Sequence, residues 1–164
     1  MKIEDHWPEI QTLFEKAVKS NKYVSVATVD KSGNPHITPI GSLVLNDDCT
    51  GFFSERFPVK MVENFKYSDR VSVMAVNTGF FYWFKAIRRG KFESPPGVRL
   101  YGSVGEPREP TPQEADMWQE RVKFARGTKG HGYLWKGLSA VRDIRFDDFK
   151  PVTTGKMTQG LWNR

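Results

Sequence analysis

Apolar residues recur along residues 8–19 (PEIQTLFEKAVK) at the spacing of one helical face, with Ile10, Leu13, Phe14, Ala17 and Val18 on a single stripe. Pro8 suits a first turn, where an amide hydrogen has no intrahelical acceptor to lose. Ser20-Asn21-Lys22 ends the segment. The period then drops to two: YVSVATV (23–29) alternates and is rich in β-branched residues, the signature of a strand. Lys31-Ser32-Gly33-Asn34 reads as a hairpin turn, with Gly33 free to take positive φ. HITPIGSLVL (36–45) is the return strand, and Pro39 inside it predicts an edge or a bulge, because proline cannot donate to a ladder. The turn NDDCTG (46–51) leads to a short strand, GFFS (51–54).

Helical spacing returns in PVKMVENFKY (58–67), with Pro58 at a plausible start. RVSVMAV (70–76) is a further strand, residues 77–97 read as an irregular connection, and VRLYGSVGEP (98–107) is a strand with a glycine kink or bulge. In PTPQEADMWQERVKFAR (110–126), Thr111, Pro112 and Glu114 form a capping-box helix start. SAVRDIRF (139–146) is the last strand, followed by a polar tail, 147–164. About six strands joined mostly by turns, with three marginal helices, predict a mainly β, six-stranded antiparallel barrel, closed or partly closed. A parallel doubly wound sheet would need helices between its first strands, which only turns separate.

The chain has 164 residues, enough for one domain, and its 38% apolar and 13% aromatic content supports a packed core. The longest apolar run, Phe80–Phe84, is far short of the roughly 18–20 residues of a membrane span. No membrane partner is expected on that ground. The start, MKIEDHWPEI, lacks a signal-peptide core, and the single Cys49 leaves no internal disulfide or cysteine zinc cage. These features predict a cytoplasmic protein. Charge changes the picture only locally: the net +6 divides into −1 over residues 1–120 (15 basic, 16 acidic) and +7 over 121–164 (10 basic, 3 acidic). A basic C-terminal part reads as a solvated surface, an attractor of anionic substrates or a nucleic-acid surface.

Candidate chemistry concentrates in Thr38–Lys60. Two polar strand ends, Thr38-Pro39-Ile40-Gly41-Ser42 and Phe53-Ser54-Glu55-Arg56, run toward a helix whose opening turn carries Lys60. A helix start with Lys60, Ser54 and the fork of Arg56 nearby is a generic phosphate site, and Gly41 lets a flat ligand approach the backbone. His6, His36 and His131 show no metal-ligand spacing, and no hydrolase or nucleotide-triphosphatase motif is present. His36 reads as an ordinary strand histidine ahead of an acid/base near a bound ring, and His131 as a surface-turn residue ahead of part of a lid. The run Phe80–Phe84 followed by Lys85, Arg88, Arg89 and Lys91 fits an interface core, a ligand wall or, less well, a single-stranded nucleic-acid surface.

In these pieces the sequence resembles the FMN-binding split-barrel family, which includes pyridoxamine 5′-phosphate oxidases and small bacterial FMN-binding proteins. The resemblance covers Tyr23–Val76 well, through YVSVATVDKSGNPHITPI, GFFS and KMVENFKYSDRVSVMAV, and Val98–Glu106 with Ser139–Phe146 more loosely. It implies a homodimer with FMN at the subunit interface. Thr38, Pro39, Ile40, Gly41, Ser42 and Leu43 would line the flavin ring and ribityl chain, Phe53 and Ser54 would follow the ribityl and phosphate, and Lys60 would pair with the phosphate. Where the oxidases have an arginine before that lysine, this chain has Val59, for which Arg56 is the candidate substitute. Their glutamine before the strand matching VRLYG, their tryptophan after the last strand and their C-terminal Arg/His motif have no counterpart in Pro96-Gly97-Val98, Asp147 or KPVTTGKMTQGLWNR. These departures count against pyridoxamine-phosphate oxidation and leave flavin binding intact.

The reading is an FMN-dependent oxidoreductase acting on a small molecule by hydride transfer, with no acid/base catalyst singled out. The resemblance also admits a deazaflavin- or haem-handling relative. A flavin electron carrier or redox sensor is the alternative, and a nucleic-acid-binding barrel ranks last.

Overall fold

Alternation decides which face of each strand is buried, and the register then aligns those faces across the sheet. In the computed structural model, which describes residues 2–56, 58–123, 126–134 and 137–162, Val26 of β1 (Val24–Val29) lies opposite Val73 of β5 (Arg70–Val76). Val73 lies opposite Leu100 of β6 (Gly97–Arg108), and Leu100 opposite Phe149 of β7 (Val141–Pro151). All four side chains are buried. With β2 (Pro35–Ile40), β3 (Val44–Leu45) and β4 (Thr50–Ser54), they form one antiparallel sheet in the order β2-β1-β5-β6-β7-β4-β3. Seven strands are described rather than six, because the predicted strand 36–45 breaks at Gly41–Leu43 into β2 and β3. Pro39 does lie on an edge strand, β2.

That break shapes the molecule. β2 and β3 are the two edges of the sheet, yet three residues join them. Such a connector spans at most roughly 14 Å, so the sheet must curl until its edges nearly meet. The long strands β6 and β7 bend to allow it, with register shifts at Tyr101/Gly102 and Val104/Pro107. At Gly102 a Cβ would stand 2.3 Å from the Arg145 carbonyl oxygen, so only glycine fits.

α1 (Ile3–Asn21) fills the curl with Ile3, Trp7, Ile10, Leu13, Phe14 and Ala17. It starts earlier than Pro8, which sits exposed inside the helix. Buried Ile3 and Trp7, the latter donating from Nε1 to the Asn46 carbonyl at 2.7 Å, anchor the extra turn and outweigh the lost proline hydrogen bond. α2 (Val59–Asn64) is short, and α4 (Pro112–Arg121) has the expected capping box on Thr111 and Glu114.

Two expectations fail. Residues 77–97 are not irregular: they hold α3 (Phe80–Arg89), in which Phe80, Phe84 and Ile87 recur at helical spacing and Gly90 caps the end, a period that the unbroken run Phe80–Phe84 obscures. The tail beyond 146 continues β7 to Pro151 and then folds back, with buried Thr158 in a 3₁₀ turn (Gly155–Thr158) and Trp162 against His6 and Phe149. A further short helix, α5 (Lys129–Leu134), precedes β7. No helix among the described residues is long and apolar enough to cross a membrane.

Candidate functional site

Where the sheet edges fail to join, the seam opens into a cleft of about 700 Å³, within the usual range of ligand pockets. One wall is the end of β2 and its connector, Thr38–Ser42; Ser54, Arg56 and Pro58 form the floor toward α2. The connector is pinned to β4 by the Ser54 amide donating to Ser42 Oγ at 3.0 Å. Ser54 Oγ lies 3.0 Å from Ser139 Oγ, at the approach to β7. Behind it Glu55 pairs with the Arg142 guanidinium, both side chains mostly buried.

Seven of the ten residues singled out in the sequence therefore meet here: Thr38, Pro39, Ile40, Gly41, Ser42, Ser54 and Arg56. The other three do not line the cleft. Leu43 and Phe53 are 1% exposed and belong to the core, Phe53 packing on Phe65. Alternation accounts for Phe53, because its neighbour Ser54 takes the cleft side. Lys60 is half-exposed and pairs with Glu63 at 3.1 Å. Of the three histidines, His6 lies in α1, His36 lies opposite Thr28 in the β1–β2 ladder, and His131 lies in α5, its amide donating to Thr128 Oγ1 at 3.2 Å.

The opposite wall was not legible. It comes from the C-terminal turn of α1, with Val18, Lys19 and Lys22, and from α4 and the residue after it, with Trp118, Arg121 and Val122. On α4 these three share the i, i+3, i+4 face that would normally be wholly apolar. An arginine inside that stripe was the signal available. Arg121 donates from Nη1 to the Leu43 carbonyl at 3.0 Å and forms no salt bridge among the described residues. Burial holds its guanidinium below its ordinary pKa. A smaller cleft of about 270 Å³ between α1 and β3 shares Val18, Lys19 and Arg121 with the larger one.

Two buried polar atoms on the lining residues lack hydrogen-bond partners: Trp118 Nε1, on a side chain only 9% exposed, and Thr38 Oγ1. Buried donors are rarely left so. Among the described residues the lining carries Lys19, Lys22, Arg56 and Arg121 and no carboxylate. A donor set of this kind is suited to an anionic ligand. Among the described residues no three His, Cys, Asp or Glu side chains gather as a metal site.

The curled antiparallel sheet, open at one seam and plugged by α1, is the split barrel of FMN-binding proteins. A sequence model of the pyridoxamine 5′-phosphate oxidase family matches residues 9–146, and this chain belongs to that family. Among solved structures, HupZ of Group A Streptococcus superposes with a TM-score of 0.57 at 22% identity, covering 90% of this chain and 94% of that one. An FMN-binding protein from Syntrophomonas wolfei gives 0.56 at 18% identity, covering 93% and 95%. An F420 reductase gives 0.54 at 14%, covering 84% and 95%. At these identities the likeness is one of fold. A search of curated protein sequences found no match.

Proposed function

We propose that this chain is an FMN-binding oxidoreductase whose flavin occupies the seam cleft. The observation that carries the reading is the lining itself: among the described residues its four charged side chains are cationic and two buried polar atoms have no partner, in a cleft at the split of a family barrel. Thr38–Ser42 would flank the flavin ring and ribityl chain, Ser54 and Arg56 would hold the phosphate end, and Lys60 would reach it by leaving Glu63. Bound FMN supplies hydride chemistry. The chain's own contribution is to bind and orient: among the described residues the lining holds no carboxylate, histidine or cysteine to serve as an acid or base.

The same lining supports an anionic small-molecule substrate. Arg121 and Trp118, on the wall opposite β2, are the groups to receive it. A homodimer with the flavin at the subunit interface and a cytoplasmic location complete the proposal. The absence of an acid/base residue equally suits a flavin electron carrier, which needs none. The likeness to an F420 reductase makes a deazaflavin the competing ligand.

Titration of flavin-free protein with FMN, riboflavin and the deazaflavin tests the reading. FMN should bind at least about tenfold more tightly than riboflavin, because only FMN brings the phosphate. No uptake of any flavin would sink the proposal, and preference for the deazaflavin would reassign the cofactor. Reduction by NADH or NADPH, followed by a screen of acceptors, then separates enzyme from carrier.

A further inference from the structure

Val18, Lys19 and Arg121 line both the cleft of about 700 Å³ and the smaller one of about 270 Å³ between α1 and β3. A ligand that touches these residues in the first is therefore within reach of the second. The smaller cleft differs in chemistry. Its apolar wall is made by buried Phe14 and Leu43 and partly buried Val18 and Leu45, with Val44 beside them. Of its polar residues, Gln11 is already spent: Nε2 donates to the Asn46 carbonyl at 3.1 Å and to Asp47 Oδ1 at 3.0 Å. Glu15 and Lys19 are exposed, stand one turn apart on α1 and offset each other in charge. Arg121 is left as the net charge on this space.

A guanidinium carries several N–H donors in a planar fork. Among the described residues Arg121 uses one side of that fork, from Nη1 to the Leu43 carbonyl at 3.0 Å, and forms no salt bridge. The unused donors of a partly buried cation call for an acceptor, and a carboxylate satisfies two of them at once. Trp118, whose buried Nε1 has no partner, lines the larger cleft three residues earlier on the same helix. One net positive charge matches a monoanion. Size sets the rest: a cavity of about 150 Å³ holds benzene, so the smaller cleft has room for one ring and a short linker.

We infer that the smaller cleft is the specificity arm of the ligand site, and that the substrate is a carboxylic acid bearing an aromatic ring or a short hydrocarbon chain. Its carboxylate meets Arg121, and its apolar arm lies among Phe14, Leu43 and Val44. The larger cleft stays open to the flavin, so the two ligands are held together. The inference rests on the anionic-substrate reading above and names the class of that substrate.

Calorimetric titration of flavin-free and FMN-loaded protein with phenylacetate, acetate and phenethyl alcohol tests it. Phenylacetate should bind at least about tenfold more tightly than acetate, through its ring, and at least about tenfold more tightly than the alcohol, through its charge. Both preferences should persist with FMN bound. Val44→Trp, which fills the smaller cleft and lies off the larger one's lining, should abolish the preference over acetate and keep FMN affinity. Arg121→Met should abolish the preference over the alcohol and retain the contribution of the ring. Should Val44→Trp fail to fold, wild-type affinity for acetate, butyrate and hexanoate decides: a rise of about two- to fourfold per methylene supports the arm, and a flat series overturns it. Equal binding of phenylacetate and acetate, an unchanged preference in folded Val44→Trp, or displacement of FMN by phenylacetate also overturns the inference, while FMN uptake itself spares the flavin reading. Failure to take up FMN removes the flavin reading alone, because the carboxylate preferences are read separately on flavin-free protein.

Discussion

Arg108 grips Glu114 with both prongs of its guanidinium, Nη1 to Oε2 at 2.9 Å and Nη2 to Oε1 at 2.6 Å. The same arginine reaches Asp143 from Nε at 2.8 Å. The end of β6, β7 and the first turn of α4 are thereby locked together, and α4 is the helix that carries Trp118 and Arg121 over the cleft. The Arg108 guanidinium holds the Glu114 carboxyl below the usual carboxylate range.

The sign of the resulting pH dependence follows from that depression. Between the lowered folded value and the ordinary carboxylate value the unfolded chain binds more protons, so the pair stabilises above the ordinary value and is lost as pH falls through the folded one. Glu114→Gln should therefore destabilise the protein by about 1–3 kcal/mol at neutral pH. The difference from wild type should shrink once pH drops below about 4. Denaturant melts of both proteins across this range check it; a difference independent of pH would exclude the charge as its source.

Arg121 makes the opposite kind of prediction. A partly buried guanidinium facing a cleft whose described lining holds no carboxylate is costly until an anion arrives. Arg121→Met should keep or raise the melting temperature of the ligand-free protein while weakening ligand binding about tenfold. Calorimetric melting beside ligand titration measures both. A lower melting temperature with unchanged affinity would make the side chain structural.

Lys60 stands outside the cleft lining and in water. Lys60→Ala should weaken FMN binding only about threefold, the scale of an exposed ion pair, and the loss should vanish in high salt. Arg56→Ala, on the lining, should cost at least about tenfold. Affinities at low and high ionic strength decide between the two cations, and a larger loss at Lys60 would restore it as the main phosphate anchor.

Gly102 sits where β6 shifts register against β7. Gly102→Ala would drive a methyl into the Arg145 carbonyl at a cost of about 2–4 kcal/mol. Chemical denaturation measures it. A near-neutral result would show that the two strands can part there without loss.

Local chemistry was readable wherever a short-range rule controls the outcome. The hairpin turn with Gly33 at φ 81°, the capping box on Thr111 and Glu114, and the edge position of Pro39 all follow from steric or hydrogen-bonding rules that act within a few residues. The β2 wall of the cleft was legible for a related reason, since glycine and small polar residues at a strand end mark an approachable backbone. α3 was legible in principle, since Phe80, Phe84 and Ile87 recur at helical spacing and Gly90 marks the end, but the unbroken aromatic run Phe80–Phe84 obscures that period.

The amino-acid sequence by itself determined most of the strands and their turns, because alternation and turn chemistry are local, while its motifs pointed to the family by resemblance. Only the tertiary structure decided which cations share one space. Lys19, Lys22 and Arg121 are brought beside Thr38 and Arg56 by the curl that draws two sheet edges across a three-residue connector. Leu43 and Phe53 fall in the core, and Lys60 stands outside the lining, two residues beyond Pro58. No window of sequence contains that relation, since it is set by long-range strand pairing and by the packing of α1 inside the curled sheet.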